Sequence, residues 1–183
     1  MNLANKVSIL RILLIPFFVI SIIYYRPEKD FLRFIALGIF SLAVITDGID
    51  GYIARISRKR SSLGTILDPM ADKLLLVTAF ICLSIANNLP SGLRLPPWVP
   101  IVVISRDVII VLGAAIIHLT TGKLQISPSY LGKLTTFLQM ATIISVLTQY
   151  NYSPVIWNTA VFFTVISGVD YIRKGSRFLN ESR

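Results

Sequence analysis

The sequence predicts an all-α integral membrane protein of six transmembrane helices, with both termini in the cytoplasm. Three observations carry this. Of the 183 residues 54% are hydrophobic and only 15% charged, the profile of a membrane chain. The apolar residues gather into long runs separated by polar or turn-forming segments. Lys and Arg are shared unequally between alternate connections, as in chains that obey the positive-inside rule.

The first run, residues 7–25, is too long for a signal-peptide core and lacks a small-residue cleavage site, so it reads as a span rather than a leader. Runs 31–54 and 66–88 follow, separated by a basic segment containing Arg58, Lys59 and Arg60. Runs 98–120, 130–150 and 154–171 complete the set. A helix needs about 20 residues to cross roughly 30 Å of hydrocarbon, so each run is close to spanning length. Backbone polar groups cannot stay unpaired in lipid, which makes these runs helices rather than strands. The chain reads as a single domain over 1–183, and an even number of spans places both ends on one side.

Orientation follows from the basic residues near the span ends. With the N-terminus inside, the cytoplasmic side collects Lys6, Arg11, Arg55, Arg58, Lys59, Arg60, Lys123, Lys133, Arg173, Lys174, Arg177 and Arg183, against Arg26, Lys29, Arg33 and Arg94 outside. The short length without an N-terminal extension leads us to expect a bacterial chain in the cell (inner) membrane. The formal net charge of +9 does not indicate nucleic acid, because the basic residues flank apolar spans and form no basic stripe with interleaved aromatics. Membrane lipids are the expected partners: juxtamembrane cations gain about 1 kcal/mol each near an anionic leaflet, and Arg173, Lys174 and Arg177 fit that structural role. Cys82 stands alone, so no disulfide or thiolate metal site forms within one chain. His118 is the only histidine, and a structural role is expected for it.

Against this background Asp47, Asp50, Asp68 and Asp72 stand out among nine acidic residues. Ionisable groups kept at membrane depth are costly and mark functional sites. Asp47 and Asp50 are three residues apart and Asp68 and Asp72 four apart, so each pair shares a helix face. Two such faces brought together offer a cage for two divalent cations, and oxygen-only donors suit Mg²⁺ or Mn²⁺. Phosphate chemistry follows, since such ions are completed by substrate phosphates and a pair can clamp attacking and leaving oxygens. Gly51 and Gly64 free space where a ligand approaches the backbone, although each also reads as a helix-packing device. Arg55, one turn beyond Gly51, offers a planar fork to a diphosphate. A different class, a divalent-cation transporter, would also use intramembrane carboxylates. The clustering at one membrane face and the lack of an inverted repeat argue against it.

The residues Asp47, Asp50, Gly51, Ala54, Arg55, Gly64, Asp68 and Asp72 fill every fixed position of D-x2-D-G-x2-A-R-x8-G-x3-D-x3-D. The sequence thereby resembles the CDP-alcohol phosphotransferase family. The opening segment with Asn5, Ser8 and Arg11 is similar to that family's N-x-x-[ST]-x-x-R, and six spans with the motif at the cytoplasmic ends of the second and third match its fold.

The resemblance implies a reaction in which an acceptor hydroxyl attacks a CDP-linked lipid, the phosphatidyl group is transferred and CMP leaves. It also implies roles. Asp47, Asp50, Asp68 and Asp72 hold the metals, and Asp72 is in addition the general base on the acceptor hydroxyl. Gly51, Arg55 and Gly64 line the nucleotide and diphosphate pocket. Such attack on phosphorus needs positioning and charge stabilisation more than covalent catalysis, so no Ser, Cys or His nucleophile is required.

The acceptor rests on weaker features. Arg106 and Asp107 interrupt the fourth span and Lys133 opens the fifth, so both cations can face an anionic acceptor; the other reading is snorkelling or an internal Arg106 to Asp107 pairing. Gly132, Lys133, Thr136 and Gln139 resemble the phosphatidylglycerophosphate synthase branch, whose acceptor is glycerol 3-phosphate. Ser105, Arg106, Asp107 and Val108 also resemble the CDP-diacylglycerol-dependent cardiolipin synthases, whose acceptor is phosphatidylglycerol. The resemblance further implies a homodimer, and Gly113, Ala114 and Ala115 permit close helix contact.

Overall fold

The computed structural model describes the backbone at residues 3–57, 62–121 and 130–181, and side chains at 9–46, 73–117, 119 and 130–176. Among the described residues it is all-helical, without strands. The helices are α1 (Leu3–Ile23), α2 (Phe31–Ser57), α3 (Ser62–Ile85), α4 (Trp98–Thr121), α5 (Tyr130–Leu147) and α6 (Ser153–Glu181). Short 3₁₀ turns at Pro27–Lys29 and Ser91–Leu93 lead into α2 and α4. The stretches Ser91–Ile117, Tyr130–Leu147 and Ser153–Ser176 are long and apolar enough to cross a bilayer, and Ile9–Ile23, Phe31–Thr46 and Lys73–Ile85 are shorter apolar helices. Large apolar side chains such as Leu13, Phe17, Ile101, Val111 and Phe162 face outward, as expected when lipid rather than water surrounds the helices. The chain is a membrane protein.

The chain forms two compact units. The first comprises Met1–Leu95 with Ile143–Asn151. In it α1 packs against both α2 and α3, and the small fully buried residues Ala36, Ala43 and Ala79 let the backbones approach. Phe18 and Phe40 meet with ring centroids 6.2 Å apart. Two polar devices fix the helix ends. The last carbonyls of a helix have no intrahelical partner, and here the Asn88 side-chain amide, just beyond α3, donates to the carbonyls of Ile22, Ile23 and Tyr25 at 2.9, 3.0 and 2.8 Å. At the start of α2, Arg33 grips Asp30 with Nε and Nη2 at 2.8 and 2.6 Å and donates through Nη1 to the Leu147 carbonyl at 3.1 Å.

The end of α5 lies in this unit and closes as a Schellman motif: Tyr150 N–H bonds Ser145 O and Gln149 N–H bonds Val146 O, both at 2.9 Å. Gln149 sits in the left-handed region at φ 54°, where glycine is usual. That explains why the helix stops at Leu147 although the apolar run reaches Tyr150.

The second unit comprises Pro96–Thr142 and Tyr152–Arg183. Here α4 packs on α6, with Gly113 against the Tyr171 ring: a Cβ at Gly113 would lie 2.9 Å from Tyr171 Cε1. The small residues noted for close helix contact are thus used, at Gly113, within the chain. Between α5 and α6 the joints are polar. Thr135 Oγ1 lies 3.2 Å from Phe163 O, and Gln139 Nε2 donates to Thr164 Oγ1 at 3.1 Å; Thr135, Gln139 and Thr164 are buried. Helix α6 continues past Tyr171 to Glu181, and on it Lys174 of the expected headgroup cluster bonds Asp170 at 2.7 Å.

Candidate active site

The structure places the motif on two consecutive helices. Asp47, Asp50, Gly51 and Arg55 occupy the second half of α2, and Gly64, Asp68 and Asp72 the first half of α3. Ser57 and Ser62 bound a connection of residues 58–61, and a chain of that length reaches at most about 18 Å. The C-terminal end of α2 and the N-terminal end of α3 are therefore held near one another, with α1 against both helices. The side chains of these motif residues lie outside the described residues, as do those of His118 and Lys123. Among the described residues no cluster of His, Cys, Asp or Glu suits a metal ion. The donor set itself fits Mg²⁺ or Mn²⁺: four carboxylates on two helices, with no thiolate or imidazole in the motif.

Arg11, on α1, is only 3% exposed. Sequence counting treats it as a juxtamembrane charge, yet it is an interior residue of the first unit. Arg33, counted on the outer side, is likewise buried, and its work is structural.

In the second unit the structure brings Arg106 together with the start of α5. Arg106 is 9% exposed and Asp107 8%. Arg106 Nη1 pairs with Asp107 Oδ1 at 2.8 Å, which is the internal pairing that the sequence left open. Arg106 Nη2 donates to Ser167 Oγ on α6 at 2.7 Å. A Cβ at Gly132 would lie 3.3 Å from Arg106 Nη2, so the glycine before Lys133 makes room for the guanidinium. Lys133 itself is exposed, with Nζ 5.7 Å from the Tyr130 ring centroid. Sequence reasoning found Arg106, Asp107 and Lys133 but missed Ser167, which gives no local signal.

Membrane-length apolar helices thus accompany a motif of acidic pairs, glycines and arginine on α2 and α3. Residues 1–166 match the CDP-alcohol phosphatidyltransferase family, and the chain belongs to it. It is 34% identical over 182 residues, covering 96% of this chain and 82% of the relative, to a probable phosphatidylglycerophosphate synthase of Mycobacterium tuberculosis. It is 32% identical over 198 residues, 99% of this chain and 98% of the relative, to a CDP-diacylglycerol--glycerol-3-phosphate 3-phosphatidyltransferase of Bacillus subtilis. A CMP-forming cardiolipin synthase of Homo sapiens is 30% identical over 199 residues, 96% of this chain and 62% of the relative. The family resemblance drawn from the motif is borne out, and with it an enzyme of phospholipid biosynthesis. A cation transporter is set aside.

Proposed function

We propose that the protein transfers the phosphatidyl group of CDP-diacylglycerol to the hydroxyl of glycerol 3-phosphate, releasing CMP. The observation that carries this reading is similarity over nearly the whole chain to proteins named for that reaction, together with the complete family motif on α2 and α3. Asp47, Asp50, Asp68 and Asp72 would hold two Mg²⁺ or Mn²⁺ ions, which when bound supply charge stabilisation on the phosphates. Arg55 grips the diphosphate with its planar fork. Gly51 and Gly64 leave room for the nucleotide. Asp72 accepts the proton of the acceptor hydroxyl as its oxygen bonds to the phosphatidyl phosphorus, while the bond from that phosphorus to the CMP oxygen breaks. Within the second unit, Arg106 and Lys133 supply the cations that an anionic acceptor needs.

The same reading places six spans in the inner membrane, with both termini and the reacting groups on the cytoplasmic side, in one domain that pairs as a homodimer. The excess of Lys and Arg on one set of connections supports the orientation. A second reading is favoured by the human relative: phosphatidylglycerol as acceptor, giving cardiolipin.

The test is to supply purified protein with CDP-diacylglycerol labelled in the phosphatidyl group and either glycerol 3-phosphate or phosphatidylglycerol. Labelled phosphatidylglycerophosphate with stoichiometric CMP is the expected product. Label in cardiolipin alone would establish the second reading, and no CMP with either acceptor would refute both.

A further inference from the structure

We propose that Ser167 is a positioning residue that, with Gly132, holds the Arg106 guanidinium so that its unmatched edge receives a phosphate oxygen of the acceptor. This rests on the reading of Arg106 as an acceptor-binding cation. A guanidinium has five N–H donors, and a charge kept inside a helical membrane protein needs partners. Asp107 takes Nη1 at 2.8 Å and Ser167 takes Nη2 at 2.7 Å. Arg106 Nε is buried and has no hydrogen-bond partner among the described residues. An unmatched buried donor is costly, and a native structure that retains one calls for a reason.

A phosphate oxygen supplies that reason, because the fork of Nε and a terminal nitrogen matches two such oxygens. The guanidinium is also fenced in. It is pinned by Asp107 and by Ser167, itself 3% exposed. The hydrogen of Gly132 faces it where a methyl would stand 3.3 Å from Nη2 and 3.9 Å from Ser167 Oγ. With both terminal nitrogens tethered, the group cannot swing away from a side chain at 132. Lys133, next in the chain, is exposed and lies over the Tyr130 ring, so the inference rests on Arg106 alone. The phosphate is the monoester of glycerol 3-phosphate or the diester of a phosphatidylglycerol headgroup, and the two are separable by assay.

The experiment uses the purified full chain in detergent micelles with saturating CDP-diacylglycerol, varying glycerol 3-phosphate in one arm and phosphatidylglycerol in the other while CMP release is followed. In the arm that supports turnover, Ser167→Ala raises the acceptor KM on the order of tenfold, the factor expected when one charge-assisted hydrogen bond is weakened. The turnover number and the KM for CDP-diacylglycerol stay within about twofold, and Ser167→Thr, which keeps the hydroxyl, restores most of the acceptor KM. Gly132→Ala raises the same KM without removing any polar group, so the prediction does not depend on how residue 167 repacks. If Arg106→Gln raises the acceptor KM while Ser167→Ala and Gly132→Ala leave it unmoved, the positioning role is wrong and the acceptor reading stands. An acceptor KM that Arg106→Gln does not move removes both. A Ser167→Ala protein impaired equally toward both substrates and melting lower shows a general structural role and overturns the proposal.

Discussion

The amide of Asn88 ties the end of α3 to the end of α1, and removing it has a consequence that the geometry sizes. Its two N–H donors serve three carbonyls, those of Ile22, Ile23 and Tyr25, at 2.9, 3.0 and 2.8 Å. Two net hydrogen bonds at about 0.5–1.5 kcal/mol each would give about 1–3 kcal/mol. Asn88 and Ile23 are exposed while Ile22 and Tyr25 are buried, so water replaces part of the lost bonding and about 1–2 kcal/mol is expected. For a chain of this size each kcal/mol moves the melting temperature by about 2–4 °C, so Asn88→Ala should lower it by about 2–8 °C in detergent, followed by tryptophan fluorescence or near-ultraviolet circular dichroism. Asn87 is the internal control: its only described hydrogen bond is a 3.4 Å contact from Arg94, and Asn87→Ala should change stability by less than about 0.5 kcal/mol. Equal melting temperatures for the two variants would refute the tie.

Gly113→Ala forces a methyl to within 2.9 Å of the rigid Tyr171 ring and should cost about 1–3 kcal/mol by overpacking. Tyr171→Phe removes a buried hydroxyl with no partner among the described residues and should leave stability unchanged or raise it by about 1 kcal/mol; melting of both variants checks the opposite signs. The Arg33 guanidinium, bonded to Asp30, holds that carboxyl below the ordinary carboxylate range. A depressed value contributes stability that is fully present above the unfolded pKa, about 3.9, and lost as pH falls through the folded one. The melting gap between wild type and Asp30→Asn should therefore be constant above about pH 5 and close below about pH 4; a gap that widens on acidification would contradict the pairing. Asp72→Asn should cut CMP release by about 10²–10⁴-fold, the usual weight of a general base, while CDP-diacylglycerol binding stays measurable; normal turnover would remove Asp72 from that role.

Much of the helical layout was legible because hydropathy reports length and burial in lipid directly. Helices α2, α4 and α5 begin at or beside the expected residues, Phe31, Trp98 and Tyr130. The ends were less legible, for physical reasons. Helix α5 stops at Leu147 through a left-handed Gln149 rather than a glycine, so no residue type announces the cap. Helix α6 outruns its apolar stretch and reaches Glu181, since a helix leaving the bilayer needs no further hydrophobicity. Charge counting located Arg11 and Arg33 at span ends, but their burial depends on neighbours distant in the chain, such as Leu147 for Arg33. The aspartate pattern was visible because its spacing is local. Ser167 was not, because it meets Arg106 from 61 residues away.

The most direct test of the acidic pairs on α2 and α3 as a shared cation site is CMP release from CDP-diacylglycerol by the purified chain after exhaustive chelation, followed by titration with Mg²⁺ or Mn²⁺. Turnover should vanish on chelation and return on adding either ion to the wild type, but not to Asp68→Asn. Turnover that survives complete removal of divalent cations would contradict that site and the phosphatidyl-transfer chemistry built on it.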